Sequence, residues 1–462
     1  MKFRLSFANG IALLGSLIVA ILFFFPVAGL DQQTTRIAAL TLFLVVFWAT
    51  NVVPPYFPVL IFFALAMIFQ VISPALAFSG FASGAFWLVF GGLVIGAAFK
   101  ETGLATRIAD GISRFFGRSY RGLIGGLVVL GVLLSFIMPS SMGRVVMLVP
   151  IALALADRYG YGLDAPGRYG ILLAMIFGAH TPSFGILPAN VPNMILAGTT
   201  ESVWGITIPY GQYFFLNFPV LGLLKALLIF ALVLLFFPDH LPEKTPSTVK
   251  EQTPMSADEK RLGMILIVVV LMWAFDFLHG IAPSWVALAA ALVLLLPGIG
   301  VLPADTLNKR LNIASLIFVA GLISMGAMIA QSELTVLFSQ WIENTLPLTP
   351  GADFGNYLVL SITTLLTSIV GTVPTVPAVL VPLADVLASL SGLPLLTVLM
   401  IQVVGFSTIF FPYQAAPLVV GVLLANIPAR IALRFTLVLG FVTLLLLLPL
   451  DYLWLQILGY FG

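Results

Sequence analysis

The sequence predicts an all-α polytopic membrane protein, with about 11 transmembrane helices and two re-entrant hairpins arranged in two inverted repeats. Three observations support this fold class. Apolar residues make up 61% of the 462 residues and charged residues only 8%, and the mean hydropathy is +1.14, which excludes a soluble domain of this length. Two apolar stretches, 122–156 and 356–390, are broken near the middle by Pro, Ser and Thr. Finally, nearly all lysines and arginines fall on one side of the bilayer if both stretches are hairpins.

The composition also excludes several kinds of chemistry. The chain has no cysteine, so disulfides, thiolate catalysis and thiolate metal sites are excluded. Its net charge of +2 gives no indication of a nucleic-acid partner. The apolar run from about Ile11 to Leu30 is long enough to span a bilayer and lacks a persuasive cleavage site, which favours a retained first helix over a signal peptide.

The length of each apolar run predicts where the chain crosses the membrane. A hydrocarbon core of about 30 Å requires roughly 20 helical residues. On this measure we predict spans at residues 11–30, 36–52, 56–72, 84–100, 168–198, 213–237, 262–279, 283–298, 312–332, 393–426 and 432–450.

The basic residues support the two hairpins independently of their composition. If both hairpins return to the side from which they enter, every lysine and arginine except Arg36, Arg144 and Lys225 falls on one side. The positive-inside rule makes that side the cytoplasm. We therefore expect a multi-pass protein of the bacterial inner membrane, with its N-terminus in the cytoplasm and its C-terminus outside.

A weak internal repeat relates the two hairpins. Val149-Pro150-Ile151 in the first hairpin matches Val381-Pro382-Leu383 in the second. Counting back from the two prolines gives residues 140–142, here called the first tip, and residues 372–374, the second tip. About five spans separate the hairpins, an odd number, so the repeats have opposite orientation.

Each hairpin is followed by a long helix with a Pro-rich interruption. We call these interruptions, residues 182–193 and 411–417, the first break and the second break. Inverted repeats with discontinuous helices at matching positions are typical of secondary transporters, whose site lies near the midplane.

These features predict a division of the chain into alternating segments. Those segments are 1–121, scaffold helices of the first repeat; 122–212, the first hairpin and broken helix of a transport domain; 213–355, scaffold helices with a cytoplasmic linker at 239–261; 356–429, the second hairpin and broken helix; and 430–462, the last helix.

The tips and breaks carry the candidate substrate-binding residues. Each tip exposes main-chain amides and the positive end of a helix dipole, which together attract an anion. Hydroxyl groups and amides nearby add hydrogen bonds; the candidates are Ser140, Ser141, Asn190, Asn193, Thr372, Thr375 and Gln414. The alternative is that these side chains only satisfy the broken backbone or cap a helix.

Two charged or titratable side chains lie close to the first tip and the first break. A charged side chain such as Arg144 is energetically unfavourable near the middle of a bilayer unless it contacts water, an acid or a ligand. We therefore predict that Arg144 binds the substrate anion. The alternatives are a structural pair with an acid such as Asp385, or a side chain that extends to the cytoplasmic surface. His180 could carry a proton or could be a hydrogen-bonded packing residue.

Several motifs resemble the divalent anion/sodium symporter family, which carries dicarboxylates, citrate or sulfate. The resemblance covers nearly the whole chain and is strongest over residues 77–82, 87–92 and 101–104, while residues 190–193 resemble the family's Thr-Pro-Pro-Asn turn. It implies a homodimer in which a transport domain moves like an elevator against a scaffold.

The tips depart from the family pattern, because both asparagines of its paired Ser-Asn-Thr motifs are missing. By the resemblance, oxygens around Ser140, Ser141 and Gly185 would hold a sodium ion. Arginine stays protonated and can bind a carboxylate or sulfate with two hydrogen bonds, so Arg144 could replace one sodium's charge. We therefore expect reduced sodium dependence, with protons or a counter-anion contributing to the drive.

The predicted function is secondary active transport of a small divalent anion, a dicarboxylate or a sulfate-like oxyanion. Its partners would be that substrate, the lipid bilayer and a second copy of the chain, with Na⁺ or H⁺ as coupling ion and no other cofactor. An anion exchanger or a cation/proton antiporter of the same superfamily is the alternative. A membrane-embedded enzyme is more distant, because the buried ionisable residues are few and scattered.

Overall fold

Helices form the whole of the regular structure in the described part of the chain. The computed structural model describes residues 7–27, 29–50, 52–104, 107–108, 111, 119–241 and 254–461, and no strand occurs among them. The basic residues Lys2, Arg4, Arg114, Arg118, Lys244 and Lys250 and most of the predicted linker lie outside the described residues. An all-α fold is therefore confirmed for the described residues.

In its described residues, the first half of the chain contains six helices before a hairpin, then a broken helix and a final long helix. Their bounds are Phe7–Phe24, Gln32–Thr50, Tyr56–Ile68, Pro74–Ala77, Ser79–Ala82 and Gly84–Thr102; the hairpin Tyr120–Ile137 and Ser141–Arg158; the broken helix Pro166–His180 and Val191–Trp204, with 3₁₀ turns Pro182–Gly185 and Leu187–Ala189; and Tyr210–Asn217, the π-helical Phe218–Leu224 and Lys225–Phe236.

Among the described residues, the second half also has helices followed by a hairpin, a broken helix and a final long helix. Its helices are Ala257–Ala274, Asp276–His279, Pro283–Leu295, Thr306–Lys309, Ile313–Ala330 and Leu334–Thr345; the hairpin Asp353–Gly371, Thr375–Leu380 and Ala384–Ser391; the broken helix Leu395–Ser407 and Ala416–Leu424, with a 3₁₀ turn Pro412–Gln414; and Ala429–Val442, the π-helical Thr443–Leu447 and Leu448–Ile457.

Each predicted span coincides with a helix or a broken helix pair. In the described residues, seven helices are long and apolar enough to cross a membrane, or eight with the pair Ala384–Ser391 and Leu395–Ser407, which bends by 107°. Shorter apolar helices occupy three regions: Asn9–Phe24, Tyr56–Ile68 and Pro283–Leu295. The number of crossings, about 11, stays a prediction.

The first hairpin ends beside the point where it begins. Tyr120, at its start, and Tyr161, just beyond its end, place their ring centroids 6.3 Å apart. Their hydroxyls donate to the carbonyls of Phe237 (2.7 Å) and His240 (2.9 Å) respectively. Although Tyr120–Ile137 has the length of a full span, contact between the two ends favours a hairpin that returns to one side.

The second hairpin closes in the same way. Near its start, the Asn356 side-chain amide donates to the carbonyl of Ser391 at its end, at 2.9 Å, and to the carbonyl of Thr349 at 2.7 Å. Asn356 is buried, so removal of this amide would leave both carbonyls without that donor.

The two halves also share an unusual local feature. The π-helical segments begin at Phe218 and Thr443, and the helices after the two breaks begin at Val191 and Ala416, so the same residue separation relates both pairs. A π-helical segment contains an extra residue per turn and is rare within an α-helix. Its presence at the same place in two helices is not expected by chance. It therefore supports the predicted internal repeat.

Membrane topology can be tested by labelling of single cysteines, because the native chain has none. We predict that cysteines replacing Arg121 and Arg158, at the two ends of the first hairpin, react with a membrane-impermeant thiol reagent from the same side. A cysteine replacing Asn344, near the end of helix Leu334–Thr345 in a segment without lysine or arginine, should react from the opposite side and serves as the control. Labelling of positions 121 and 158 from opposite faces would disprove the re-entrant first hairpin.

Candidate functional site

Both tips and both breaks line one cavity of about 410 Å³. The lining residues that belong to the hairpins and broken helices are Pro139, Ser140, Ser141, Met142, His180, Phe184, Asn190, Val191, Pro192, Met194, Val373, Pro374, Ala415, Ala416 and Pro417. The opposite wall consists of Pro55, Val89, Leu93, Asn312, Ser315, Phe318 and Val319. The structure thus brings four segments that are far apart in sequence to one place.

Three helices of the hairpins and broken helices have their first residue in the cavity wall and direct their positive ends towards it. They are Ser141–Arg158, Val191–Trp204 and Ala416–Leu424, and their first residues are among the lining residues. None of the described residues that line it carries a carboxylate, ammonium or guanidinium group. Helix ends and neutral hydrogen-bonding groups therefore set the electrostatics of the wall, which favours an anion.

At the first tip, both hydroxyl groups already make hydrogen bonds, and that of Ser141 reaches the first break. Ser140 accepts a hydrogen bond from the amide of Gly143 at 3.1 Å and so caps the second half of the hairpin. Ser141 donates to Oδ1 of Asn190 at 3.0 Å, and Nδ2 of Asn190 donates to the Ser183 hydroxyl at 2.7 Å. These bonds fix the tip relative to the broken helix, and both serine side chains still line the cavity.

Asn193 and Gly185 lie behind the cavity wall. The side-chain amide of Asn193 donates to the carbonyls of Ile186 (2.9 Å) and Phe184 (3.2 Å), which satisfies the irregular backbone of the first break. Gly185 packs against the π-helical segment so closely that a Cβ there would lie 2.8 Å from Cα of Phe218. Substrate contact by Asn193 and sodium binding at Ser140, Ser141 and Gly185 stay predictions.

The second tip has a strained backbone. Thr372 has a φ of +87° and ψ of 159°, a region that is essentially restricted to glycine and costs about 1–3 kcal/mol. The hydroxyl of Thr375 donates to the carbonyl of Gly371 at 2.8 Å and lies 3.4 Å from the Thr372 hydroxyl. Val373 and Pro374 form the part of this tip that lines the cavity, and neither threonine is a lining residue.

Gln414 holds the second break against the second hairpin. Its Oε1 accepts from the amides of Phe410 (2.9 Å) and Phe411 (2.8 Å), and its Nε2 donates to the Ser368 hydroxyl at 2.7 Å. Its main-chain carbonyl accepts from the amide of Val373 at 3.0 Å. Gln414 is fully buried behind the cavity.

Arg144 is fully buried and points away from the cavity, into the gap between the first hairpin and the first broken helix. Its Nε donates to the carbonyl of Ala179 at 3.0 Å, Nη2 to that of Ala189 at 3.2 Å, and Nη1 to that of Met138. All three carbonyls lie where a helix ends, and such groups lack an intrahelical partner. Direct contact between Arg144 and the substrate stays a prediction, and the contacts observed are structural.

Sequence reasoning missed four polar residues at or behind the site. Asn312 and Ser315 line the scaffold side of the cavity, and Asn312 caps its helix by accepting from the amide of Ser315 at 3.3 Å. Ser183 and Ser368 anchor Asn190 and Gln414. An Asn three residues before a Ser at the start of an apolar run is a detectable N-cap pattern. Nothing in the sequence indicates that this cap faces a cavity.

Comparison with known proteins identifies the family. Residues 8–461 match the family described as the sodium:sulfate symporter transmembrane region. The chain belongs to this family, which is that of the divalent anion/sodium symporters. The resemblance found in the motifs is therefore confirmed, and the chain is a multi-pass membrane protein of a transporter family.

The relatives of this family member are themselves transporters or membrane proteins. An L-tartrate/succinate antiporter of Escherichia coli (strain K12) is 25% identical over 234 residues, 47% of each chain. The inner membrane protein YbhI of the same strain is 23% identical over 357 residues, 74% of each chain. A membrane protein of Cupriavidus necator is 26% identical over 303 residues, which are 64% of this chain and 58% of that protein. The matched region thus spans less than two thirds of the Cupriavidus protein and about half of the antiporter.

A solved structure shares the fold. The YdaH transporter of Alcanivorax borkumensis superposes with a TM-score of 0.59 and 16% sequence identity, over 94% of this chain and 100% of that one. At this identity the likeness concerns the fold alone.

Proposed function

We propose that this member of the sodium:sulfate symporter family is a secondary active transporter that binds a small divalent anion in the cavity between the two tips. The observation that carries the proposal is the convergence of both tips, both breaks and three helix N-termini on one cavity of about 410 Å³. That volume lies in the range of small-molecule sites. The Ser140 hydroxyl, which only accepts in its contact with Gly143, and the second hydrogen of the Asn190 side-chain amide would donate to the anion.

The lining favours an organic dianion over sulfate. Phe184, Phe318, Val319 and Leu93 form an apolar part of the wall, and a carbon chain between two carboxylates can bury surface against it. Sulfate has no apolar surface and would gain nothing there. We therefore propose a short dicarboxylate as the preferred substrate.

An elevator-type movement fits the origin of the two cavity walls. One wall comes from the hairpins and broken helices, and the other comes from segments at Pro55, Val89 and 312–319, which lie in the predicted scaffold. Sliding of one wall against the other would expose the cavity on alternate sides of the membrane. We further propose a homodimer in the bacterial inner membrane, with Na⁺ or H⁺ as coupling ion.

Exchange of one anion for another is the second candidate function. It is favoured by the similarity to a protein named as an L-tartrate/succinate antiporter. The two modes differ in whether uptake requires an anion on the opposite side of the membrane.

Transport by purified protein in liposomes tests both modes. Uptake of labelled succinate, L-tartrate and sulfate would be measured with and without sodium, with an imposed pH gradient, and with or without an internal dicarboxylate. We expect uptake of a dicarboxylate. Stimulation by an internal dicarboxylate would identify exchange, and no uptake of any dianion under these conditions would disprove the proposal.

A substitution at the first tip connects transport to this cavity. We predict that Ser141→Ala weakens apparent affinity about tenfold, because loss of a buried hydroxyl that orders Asn190 costs about 1–3 kcal/mol. Ser389→Ala is the matched control, since Ser389 is exposed at the far end of the second hairpin. Equal apparent affinities for the two variants would mean that the site lies elsewhere.

A further inference from the structure

His180 lies at the junction of the first broken helix and the cavity. It is the last residue of helix Pro166–His180, where Pro182 two residues later prevents continuation of the helix. Its side chain is only 2% exposed, and it is one of the residues that line the cavity. The first break thus presents an imidazole to the space between the tips.

Neither ring nitrogen of His180 has a hydrogen-bond partner among the described residues. The ring is held by an edge-to-face contact with Phe184 at 5.2 Å between centroids. Buried polar side chains are satisfied in the large majority of cases, and each exception requires an explanation. The ring borders the cavity, and neither nitrogen is committed to another described group that a bound ligand would have to displace.

Two buried cations act electrostatically on this imidazole. Arg144, on the second half of the first hairpin, donates to the carbonyl of the preceding residue, Ala179. Lys225, which follows the first π-helical segment, is also buried, and its Nζ donates to the carbonyl of Ser407 at 2.7 Å. These are the charged groups that act on His180 in the described chain. A third positive charge among them is unfavourable unless an anion is present.

We propose that His180 binds a carboxylate of the substrate and takes up one proton from solution as the dianion enters, so that a proton is carried together with the anion. The dianion supplies the negative charge that an imidazolium requires beside Arg144 and Lys225. On the opposite side of the membrane, loss of the dianion would release the proton. This inference rests on the proposed function, because it requires that a dianion binds in the cavity.

Calorimetry on the purified full chain tests the proton uptake directly. L-tartrate and sulfate serve as probes, because both stay dianionic between about pH 5.5 and 8, the range in which histidine titrates. Binding heats measured in buffers of different ionisation enthalpy give the number of protons taken up. We expect about one proton per dianion near neutral pH, and an affinity that rises as the pH falls, by up to about tenfold per pH unit.

The variant His180→Gln should bind without proton uptake and with an affinity that no longer depends on pH. His279→Gln is the matched control, since His279 lies outside the cavity and contacts the carbonyl of Met272 at 2.8 Å; it should behave as the native chain does. The chain has three histidines. A His240→Gln/His279→Gln variant therefore leaves His180 as the only one, and nitrogen NMR shifts of its ring should report protonation when L-tartrate is added, even if His180→Gln fails to fold.

The outcomes separate this inference from the proposed function. Dianion binding without proton uptake, uptake that persists in His180→Gln, or a ring that stays neutral in the saturated protein would each overturn the role of His180 while the dianion site stands. Absence of binding of any dianion by stable native protein would overturn the proposed function as well.

Discussion

Replacement of Arg144 by methionine should destabilise the protein more than loss of any other single side chain around the cavity. The substitution leaves the carbonyls of Met138, Ala179 and Ala189 without their donor, and a buried group without a partner costs about 1–3 kcal/mol. We expect a large drop in the thermal unfolding temperature of the detergent-solubilised protein. Arg144→Lys should be intermediate, because an ammonium cannot reach three carbonyls in the fixed geometry of a guanidinium.

Arg121→Met is the matched control, since Arg121 is exposed at the start of the first hairpin; its unfolding temperature should stay close to that of the native chain. The same experiment distinguishes the two roles of Arg144. A stable Arg144→Met variant that no longer binds a dicarboxylate would show that the guanidinium binds substrate and that its carbonyl contacts contribute little.

The second largest effect is expected at Gln414. Gln414→Leu removes the acceptor for the amides of Phe410 and Phe411 and the donor to Ser368, all close to the second tip. We expect lower stability and loss of transport, because the second break would no longer be fixed against the second hairpin. Thermal unfolding and liposome uptake, measured together, check both effects.

Gln414→Glu and Ser368→Ala separate the contributions of Gln414. The glutamate keeps an acceptor for the two amides, and Ser368→Ala removes only the contact with the hairpin, so each should be milder than Gln414→Leu. Native stability and uptake in Gln414→Leu would show that the geometry of the second break depends on packing alone.

The sequence predicted where helices break, because proline and serine in an apolar run have a local effect. Pro139, Pro182 and Pro417 each mark an irregularity that the structure contains. The direction of a side chain at a break depends instead on how the following helix is rotated against its neighbours. For that reason Arg144 could be recognised as unusual from the sequence, whereas its three carbonyl partners, up to 45 residues away in the chain, could not be predicted.

The roles of the amides illustrate the same limit. The sequence predicts Asn190 and Gln414 as substrate-binding amides, and the structure places each of them against a hairpin serine, Ser141 and Ser368 respectively. The π-helical segments at 218–224 and 443–447 could not be predicted, because an insertion in a helix depends on packing against neighbours such as Gly185.

The solitary charge of Arg144 has an electrical consequence. No carboxylate of the described residues forms an ion pair with it. The movement we propose would carry Arg144 across the membrane field, and displacement of one charge is worth about 2.3 kcal/mol per 100 mV. A potential that is negative inside would hold the empty carrier with its site towards the cytoplasm and slow its return. A dianion that leaves the cell on the carrier offsets the positive charge of Arg144, so the loaded carrier returns more easily than the empty one. A membrane potential would therefore favour exchange of anions over net uptake.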